Sequence, residues 1–181
     1  MVENEIKQIL LTQEQLAQKV AELGAQITRD YQGKKLMVIS VLKGSVIFLG
    51  ELIRCIDLPL VVDFMAVSSY GAGVKTSGVV KIIKDLDMPV EGYDILVVED
   101  ILDSGMTLSY LTELLMDRKP SSIKIATLLD KPERRRNTMK ADYVGFVIPD
   151  EFVVGYGLDY NEHYRNLPYV GVLNPAVYAG K

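Results

Sequence analysis

Ile95-Leu96-Val97-Val98-Glu99-Asp100-Ile101-Leu102-Asp103-Ser104-Gly105-Met106-Thr107 is the stretch that decides the fold. An apolar, β-branched run meets two adjacent acids, Glu99 and Asp100. Asp103, Ser104, Gly105 and Thr107 follow, and Leu108, Leu111, Leu114 and Leu115 then recur at helical spacing. The order reads as a buried strand that ends at the acids, a tight loop, and a helix start. Such a loop points successive backbone N–H groups, and the positive end of the helix dipole, at one spot that suits phosphate. Glu99 and Asp100 would repel a bare anion there. They fit a ligand that also carries sugar hydroxyls or a metal ion, and a phosphorylated sugar with Mg²⁺ meets all three demands. The plainer alternative is a pair of strand-end acids and a serine that caps a helix.

The same alternation extends outward from this stretch. Thr12-Gln13-Glu14-Gln15 has the form of a capping box, and Leu16, Val20, Leu23 and Ile27 continue it as a helix that Gly33 ends. Leu36 to Leu42 is an apolar, β-branched strand. Lys43-Gly44-Ser45 breaks it, and Val46 to Ile56 reads as a largely apolar helix. Leu60 to Val67 is predicted as a strand. Ser68 to Gly78 holds Gly71, Gly73 and Gly78 among small and polar residues, a long loop expected to be mobile. Strands follow at Val79 to Ile83, Ile123 to Leu129, Val144 to Ile148 and Phe152 to Val154. Near-continuous apolar strands alternating with helices indicate an α/β fold, a mostly parallel twisted sheet flanked by helices. Ligands of such sheets sit at the carboxyl ends of strands. Three strand ends carry chemistry: Lys43-Gly44, Glu99 to Thr107, and Asp130-Lys131.

The 181 residues are predicted to form a single domain, 1–181. A net charge of −4 offers no basic surplus for nucleic acid, so Arg134-Arg135-Arg136 is read as a solvated loop. Cys55 is the only cysteine, which excludes an internal disulfide and suits a cytoplasmic setting. Met1 to Glu5 is polar and acidic, unlike a signal peptide, and no apolar run approaches the ~20 residues of a membrane helix. His163, the only histidine, belongs to no motif and is expected at the surface or in packing.

Residues 95–107 resemble the signature of the type I phosphoribosyltransferases: an apolar run, two acids, two more residues, Asp, Thr or Ser, Gly, any residue, Thr. Ser104 stands where Thr is commoner and keeps the hydroxyl. From about Leu36 to Val172 the chain is similar to the bacterial hypoxanthine–guanine members. The resemblance implies that fold with a small hood formed by the chain-terminal segments. It implies that Glu99, Asp100, Asp103, Ser104, Gly105, Met106 and Thr107 bind the ribose and 5′-phosphate of phosphoribosyl pyrophosphate, and that Asp103 is the general base. Lys43, Gly44 and Arg165 would grip pyrophosphate, with a cis peptide bond between Leu42 and Lys43. Lys131 would donate to the 6-oxo group of a purine, Phe152 would stack on the base, and the Val153 backbone would read its edge. Asp159, within Val153-Val154-Gly155-Tyr156-Gly157-Leu158-Asp159-Tyr160-Asn161-Glu162, would meet the purine 2-substituent and, through water, a second metal ion. The cofactor implied is Mg²⁺, near Glu99, Asp100 and Asp159. Ser69-Tyr70 matches a pair on a mobile lid.

The implied activity is purine salvage, in which hypoxanthine and guanine become IMP and GMP with release of pyrophosphate. The implied partners are these small molecules, with no nucleic acid and no membrane, and the implied assembly is a homodimer or homotetramer. Two alternatives stay open: a transferase for another base (adenine, xanthine, uracil or orotate), and a non-catalytic nucleotide-sensing regulator of the same fold. Lys131, Phe152-Val153 and Asp159 favour a 6-oxopurine without separating hypoxanthine, guanine and xanthine.

Overall fold

The computed structural model describes residues 2–69 and 80–178. Strand β1 (Ile6–Leu11) leads into helix α1 (Gln13–Asp30), β2 (Leu36–Leu42), α2 (Val46–Leu52), β3 (Leu60–Ser69) and β4 (Val80–Lys84). Then come β5 (Asp94–Leu102), α3 (Met106–Met116), β6 (Ser122–Asp130), β7 (Tyr143–Val147), β8 (Val153–Val154), β9 (Val170–Leu173) and α4 (Pro175–Tyr178). The central sheet has the order β4-β3-β2-β5-β6-β7. Its pairs are parallel except at the edge, where β4 runs antiparallel to β3. A smaller antiparallel sheet, β1-β9-β8, draws on both ends of the chain and forms the expected hood.

Local chemistry explains these elements. The capping box of α1 closes in both directions: the Thr12 backbone N–H donates to Gln15 Oε1 at 2.9 Å, and the Gln15 N–H donates to Thr12 Oγ1 at 3.3 Å. Alternation along β5 supplies two cores. Leu96 and Val98 pack with residues of α1, α2 and the hood; Ile95 and Val97 pack with Leu108, Leu111 and Leu115 of α3. A sheet covered on both faces needs the uninterrupted apolar runs that β2 and β5 show.

Most strand bounds shift by a residue or two from the sequence reading, and two larger differences bear on the site. The helix after Ser45 stops at Leu52, and Ile53–Cys55 is a 3₁₀ turn, the tighter winding common at helix ends. More consequentially, β5 does not end at the acids. It continues to Leu102, because β6 keeps pairing with it through Glu99↔Thr127, Ile101↔Leu129 and Leu102↔Asp130. The loop before α3 shrinks to Asp103–Gly105. Tyr70 and the glycines expected in a mobile loop lie outside the described residues. Among the described residues, no helix is long and apolar enough to cross a membrane.

The chain leaves β2 toward β3 and leaves β5 in the opposite direction, toward β6, while β2 and β5 are neighbours. A crevice therefore opens at their carboxyl ends. The loops 43–45 and 103–105 are its two walls.

Candidate active site

The loop after β5 is built as an anion nest. Gly105 is the N-cap of α3 and holds φ +79°, a left-handed conformation that favours glycine. The first N–H groups of α3 have no acceptor within the helix. Glu99, Asp103, Ser104, Gly105, Thr107 and Leu108 line the cleft in front of it, and Met106 is exposed.

The segment after β6 holds the nest from behind. Arg136 N donates to Ser104 O at 3.0 Å, and Asn137 Nδ2 donates to Gly105 O at 3.0 Å. The expected solvated loop at 134–136 holds for Arg134 and Arg136, whose side chains are exposed, and not for Arg135. Arg134 Nε lies 3.0 Å from Asp103 Oδ1, an ion pair not aligned as a hydrogen bond, and Arg134 Nη1 donates to Asp150 Oδ1 at 3.2 Å. Arg135 donates to Asp130 and is mostly buried. Overall acidity is no guide here, because three acids from separate segments meet the run locally.

Strand alternation turns the two acids to opposite faces of β5. Glu99 lines the cleft of the nest. Asp100 faces the loop after β2, where a Cβ on Gly44 would overlap its carboxylate, so the close approach requires glycine. Burial, then the charge of Asp100, push Glu99 well above the usual carboxylate range. Burial raises Asp100 to about 6, against hydrogen bonds from the backbone of Ile101 and Asp100 itself and the charge of Arg165. Glu99 Oε2 is buried without a hydrogen-bond partner. Two adjacent, partly buried carboxylates, one with an oxygen buried and unpartnered, are what ribose hydroxyls and Mg²⁺ would satisfy, so the residues fit that cofactor. Among the described residues no group of three or more metal-ligating side chains converges. Glu99, Asp100 and Asp159 thus form no self-sufficient cage, and Mg²⁺ here would draw its other oxygens from substrate and water.

On the opposite wall the Leu42–Lys43 peptide bond is cis, as the resemblance implied. Ser45 is buried and pins this loop, with Oγ donating to Val41 O at 2.6 Å and lying 2.6 Å from Ser40 Oγ. Lys43 Nζ donates to Glu162 Oε2 at 3.0 Å. Arg165 donates to Gly157 O at 2.8 Å and pairs with Asp159 Oδ1 at 2.9 Å. The three residues expected at pyrophosphate, Lys43, Gly44 and Arg165, are therefore brought together.

Lys131 is buried at the end of β6. Its N–H donates to Leu102 O at 3.0 Å, next to Asp103, and its ammonium donates to Glu151 O at 2.6 Å. Burial lowers its pKa, and Asp103 and Asp150 oppose that shift. Phe152 is 41% exposed and follows Glu151, whose carbonyl holds the Lys131 ammonium. Tyr178 and Tyr160 back it, with ring centroids 5.2 and 5.7 Å away. Val153 lies in β8, the edge strand of the hood sheet, whose outer row of backbone groups has no strand partner among the described residues. Asp159 Oδ2 accepts from Glu162 N at 2.9 Å. His163 is exposed, as expected. Ser69 ends β3, and its partner Tyr70 lies outside the described residues.

Sequence reasoning assigns no role to Asn137, Glu162 or Tyr178, misreads Arg135, and misses the acids that meet Arg134. Only Glu162 carries a signal, as the last residue of the phrase that begins at Val153. Asn137 and Tyr178 act through tertiary contacts that no local pattern announces.

Comparison with known proteins agrees with this geometry. Residues 7–161 match the family model of the phosphoribosyl transferase domain. The chain is 59% identical over 178 residues to the hypoxanthine-guanine phosphoribosyltransferase of Bacillus subtilis (strain 168), covering 98% of this chain and 99% of that one. A crystal structure of a hypoxanthine phosphoribosyltransferase from Staphylococcus aureus superposes with a TM-score of 0.95 at 55% identity, over 98% of this chain and 96% of that one. A Trypanosoma cruzi hypoxanthine phosphoribosyl transferase, studied for the role of its C-terminal region in oligomeric state and enzymatic activity, gives 0.92 at 42% identity, over 96% and 94%. A helix N-terminus at the switch point of a mostly parallel sheet, partly buried acids beside it, and a likeness that runs nearly end to end have one common explanation: the chain belongs to the phosphoribosyltransferase family.

Proposed function

We propose that this protein transfers the 5-phosphoribosyl group of phosphoribosyl pyrophosphate to hypoxanthine and guanine, giving IMP and GMP and releasing pyrophosphate. The observation that carries this reading is the meeting of the nest and Lys131 at one crevice: the Lys131 backbone hydrogen-bonds Leu102, next to Asp103. An ammonium only donates, so it suits a 6-oxo acceptor and meets the amino group of adenine badly. Near-full-length relatives named for the same activity support the choice.

In this reading the N–H groups of residues 103–107 hold the 5′-phosphate, and Glu99 and Asp100 hold the ribose hydroxyls. Bound Mg²⁺ beside Glu99 and Asp100, with a second ion reached through water from Asp159, would neutralise charge on the departing pyrophosphate. Lys43 and Arg165 bind that pyrophosphate, where the guanidinium fork suits phosphate oxygens. Phe152 stacks on the base, the backbone of Val153 reads its edge, and Asp159 faces the 2-substituent. Asp103 takes or shares the proton that the purine loses. The proposal extends to one domain, a cytoplasmic setting consistent with a lone cysteine, and a homodimer or homotetramer.

Incubation with phosphoribosyl pyrophosphate, Mg²⁺ and each of hypoxanthine, guanine, xanthine, adenine and uracil tests the proposal. Hypoxanthine and guanine should yield nucleotide and adenine should not. Adenine turnover equal to that of hypoxanthine, or no turnover with any base, would overturn it.

A further inference from the structure

We infer that Glu162 is a resident anion of the pyrophosphate site: its carboxylate sits between Lys43 and Arg165, and pyrophosphate must displace it. The inference rests on the assignment of those two cations to pyrophosphate. Glu162 Oε2 lies 3.0 Å from Lys43 Nζ and 3.5 Å from Arg165 Nη2. One carboxylate oxygen thus bridges the two side chains, as the partner of Lys43 and as a second acid on Arg165, which Asp159 already pairs at 2.9 Å.

The placement is built by the backbone. Asn161 and Glu162 both have positive φ, 51° and 65°. Tyr160 and His163 exchange hydrogen bonds across them at 3.2 and 3.0 Å, and the Glu162 N–H is fixed on Asp159 Oδ2 at 2.9 Å. This is the pattern of a type I′ turn, whose second central position favours glycine. A glutamate held there accepts a conformational cost that glycine would avoid, and costs of that kind gather at functional sites.

The contacts also differ in permanence. Arg165 is tied to Asp159 and Gly157 O with only 24% of its side chain exposed. Lys43 and Glu162 are 67% and 63% exposed, so their pair is solvent-screened and exchangeable. A highly charged pyrophosphate can replace the carboxylate on both cations, and the carboxylate can return as pyrophosphate leaves. Glu162 would thereby set how tightly the leaving group is retained through its side chain, while its backbone N–H, which holds Asp159, is kept in Glu162→Gln.

Calorimetric titration of Mg²⁺–pyrophosphate into the wild-type protein, Glu162→Gln and Lys43→Gln tests this, with IMP affinity as a control. Glu162→Gln should bind pyrophosphate about two- to fivefold more tightly, the size of one exposed ion pair. The gain should shrink at high salt, and IMP affinity should not change. Lys43→Gln should weaken pyrophosphate binding. If Lys43→Gln weakens it while Glu162→Gln leaves it unchanged or weaker, the resident-anion role is wrong and the pyrophosphate site stands. If neither variant changes it, both assignments fall.

Discussion

Asp100→Asn should stabilise the ligand-free protein while disabling it. Burial raises the Asp100 carboxyl from its ordinary 3.8 to about 6. In the unfolded chain the same group ionises first, so between these values the native state binds more protons than the unfolded one. Stability therefore falls as pH rises from about 4 to 6 and stays reduced above that window. About two units at about 1.4 kcal/mol each set the cost near neutrality at no more than about 3 kcal/mol. Asparagine carries no charge, keeps an Oδ1 to accept the Ile101 N–H that Asp100 now holds at 2.7 Å, and removes a charge that raises Glu99. For a chain of this length 1 kcal/mol moves Tm by about 2–4 °C. The variant should melt about 5–10 °C above wild type at pH 7–8, with the gain nearly gone close to pH 4. Thermal unfolding across that range, with a chelator present, reads this out. Phosphoribosyl pyrophosphate with Mg²⁺ should raise the Tm of wild type and not of the variant. A gain that is absent, or that does not grow with pH, would refute the reasoning that the backbone and Arg165 compensate the charge of Asp100 only in part.

Other variants bear on the remaining parts of the site. Glu99→Gln with Asp100→Asn should raise the Mg²⁺ concentration needed for productive binding of phosphoribosyl pyrophosphate and affect IMP binding less; an unchanged Mg²⁺ dependence, measured by titration at several metal levels, would exclude the pair from the metal and ribose site. Lys131→Gln should lower kcat/KM for hypoxanthine and narrow its advantage over adenine, because an amide both donates and accepts; steady-state kinetics with both bases would show an unchanged ratio if Lys131 does not select the base. Asn137→Ala removes the donor to Gly105 O and should cost about 1 kcal/mol of stability while raising KM for phosphoribosyl pyrophosphate; denaturant unfolding and kinetics check the two effects, and a normal KM would mean the nest does not depend on this support.

Residues whose role lies in local order are legible in the sequence. The capping box at Thr12, the apolar runs of β2 and β5 and the Gly105 turn are set within a few residues of chain, so pattern suffices for them. The end of β5 is not legible, because its last residues are kept in the strand by pairing with β6, a non-local bond pattern. The partners of Arg134 and the burial of Arg135 escape the sequence reading for a similar reason: distant acids, Asp103 and Asp150 for the first and Asp130 for the second, meet the run. The two acids of β5 stand out by their position after an apolar run, yet their placement on opposite faces follows only once Glu99 and Asp100 are known to be strand residues. Glu162 stands within a recognisable phrase, and its contact with Lys43 spans 119 residues of sequence, beyond the reach of any spacing rule.

The role of the loop after β5 turns on Asp103. Its carboxylate lines the nest, beside the Lys131 loop and within an ion pair of Arg134. Turnover of hypoxanthine by Asp103→Asn, measured beside equilibrium binding of IMP, separates chemistry from binding. Asparagine keeps the shape and cannot take the proton, so kcat should fall by about 10²–10⁴-fold while IMP affinity is retained. Full turnover by Asp103→Asn would contradict the assignment of the purine proton to this residue, and with it the chemistry proposed for the crevice.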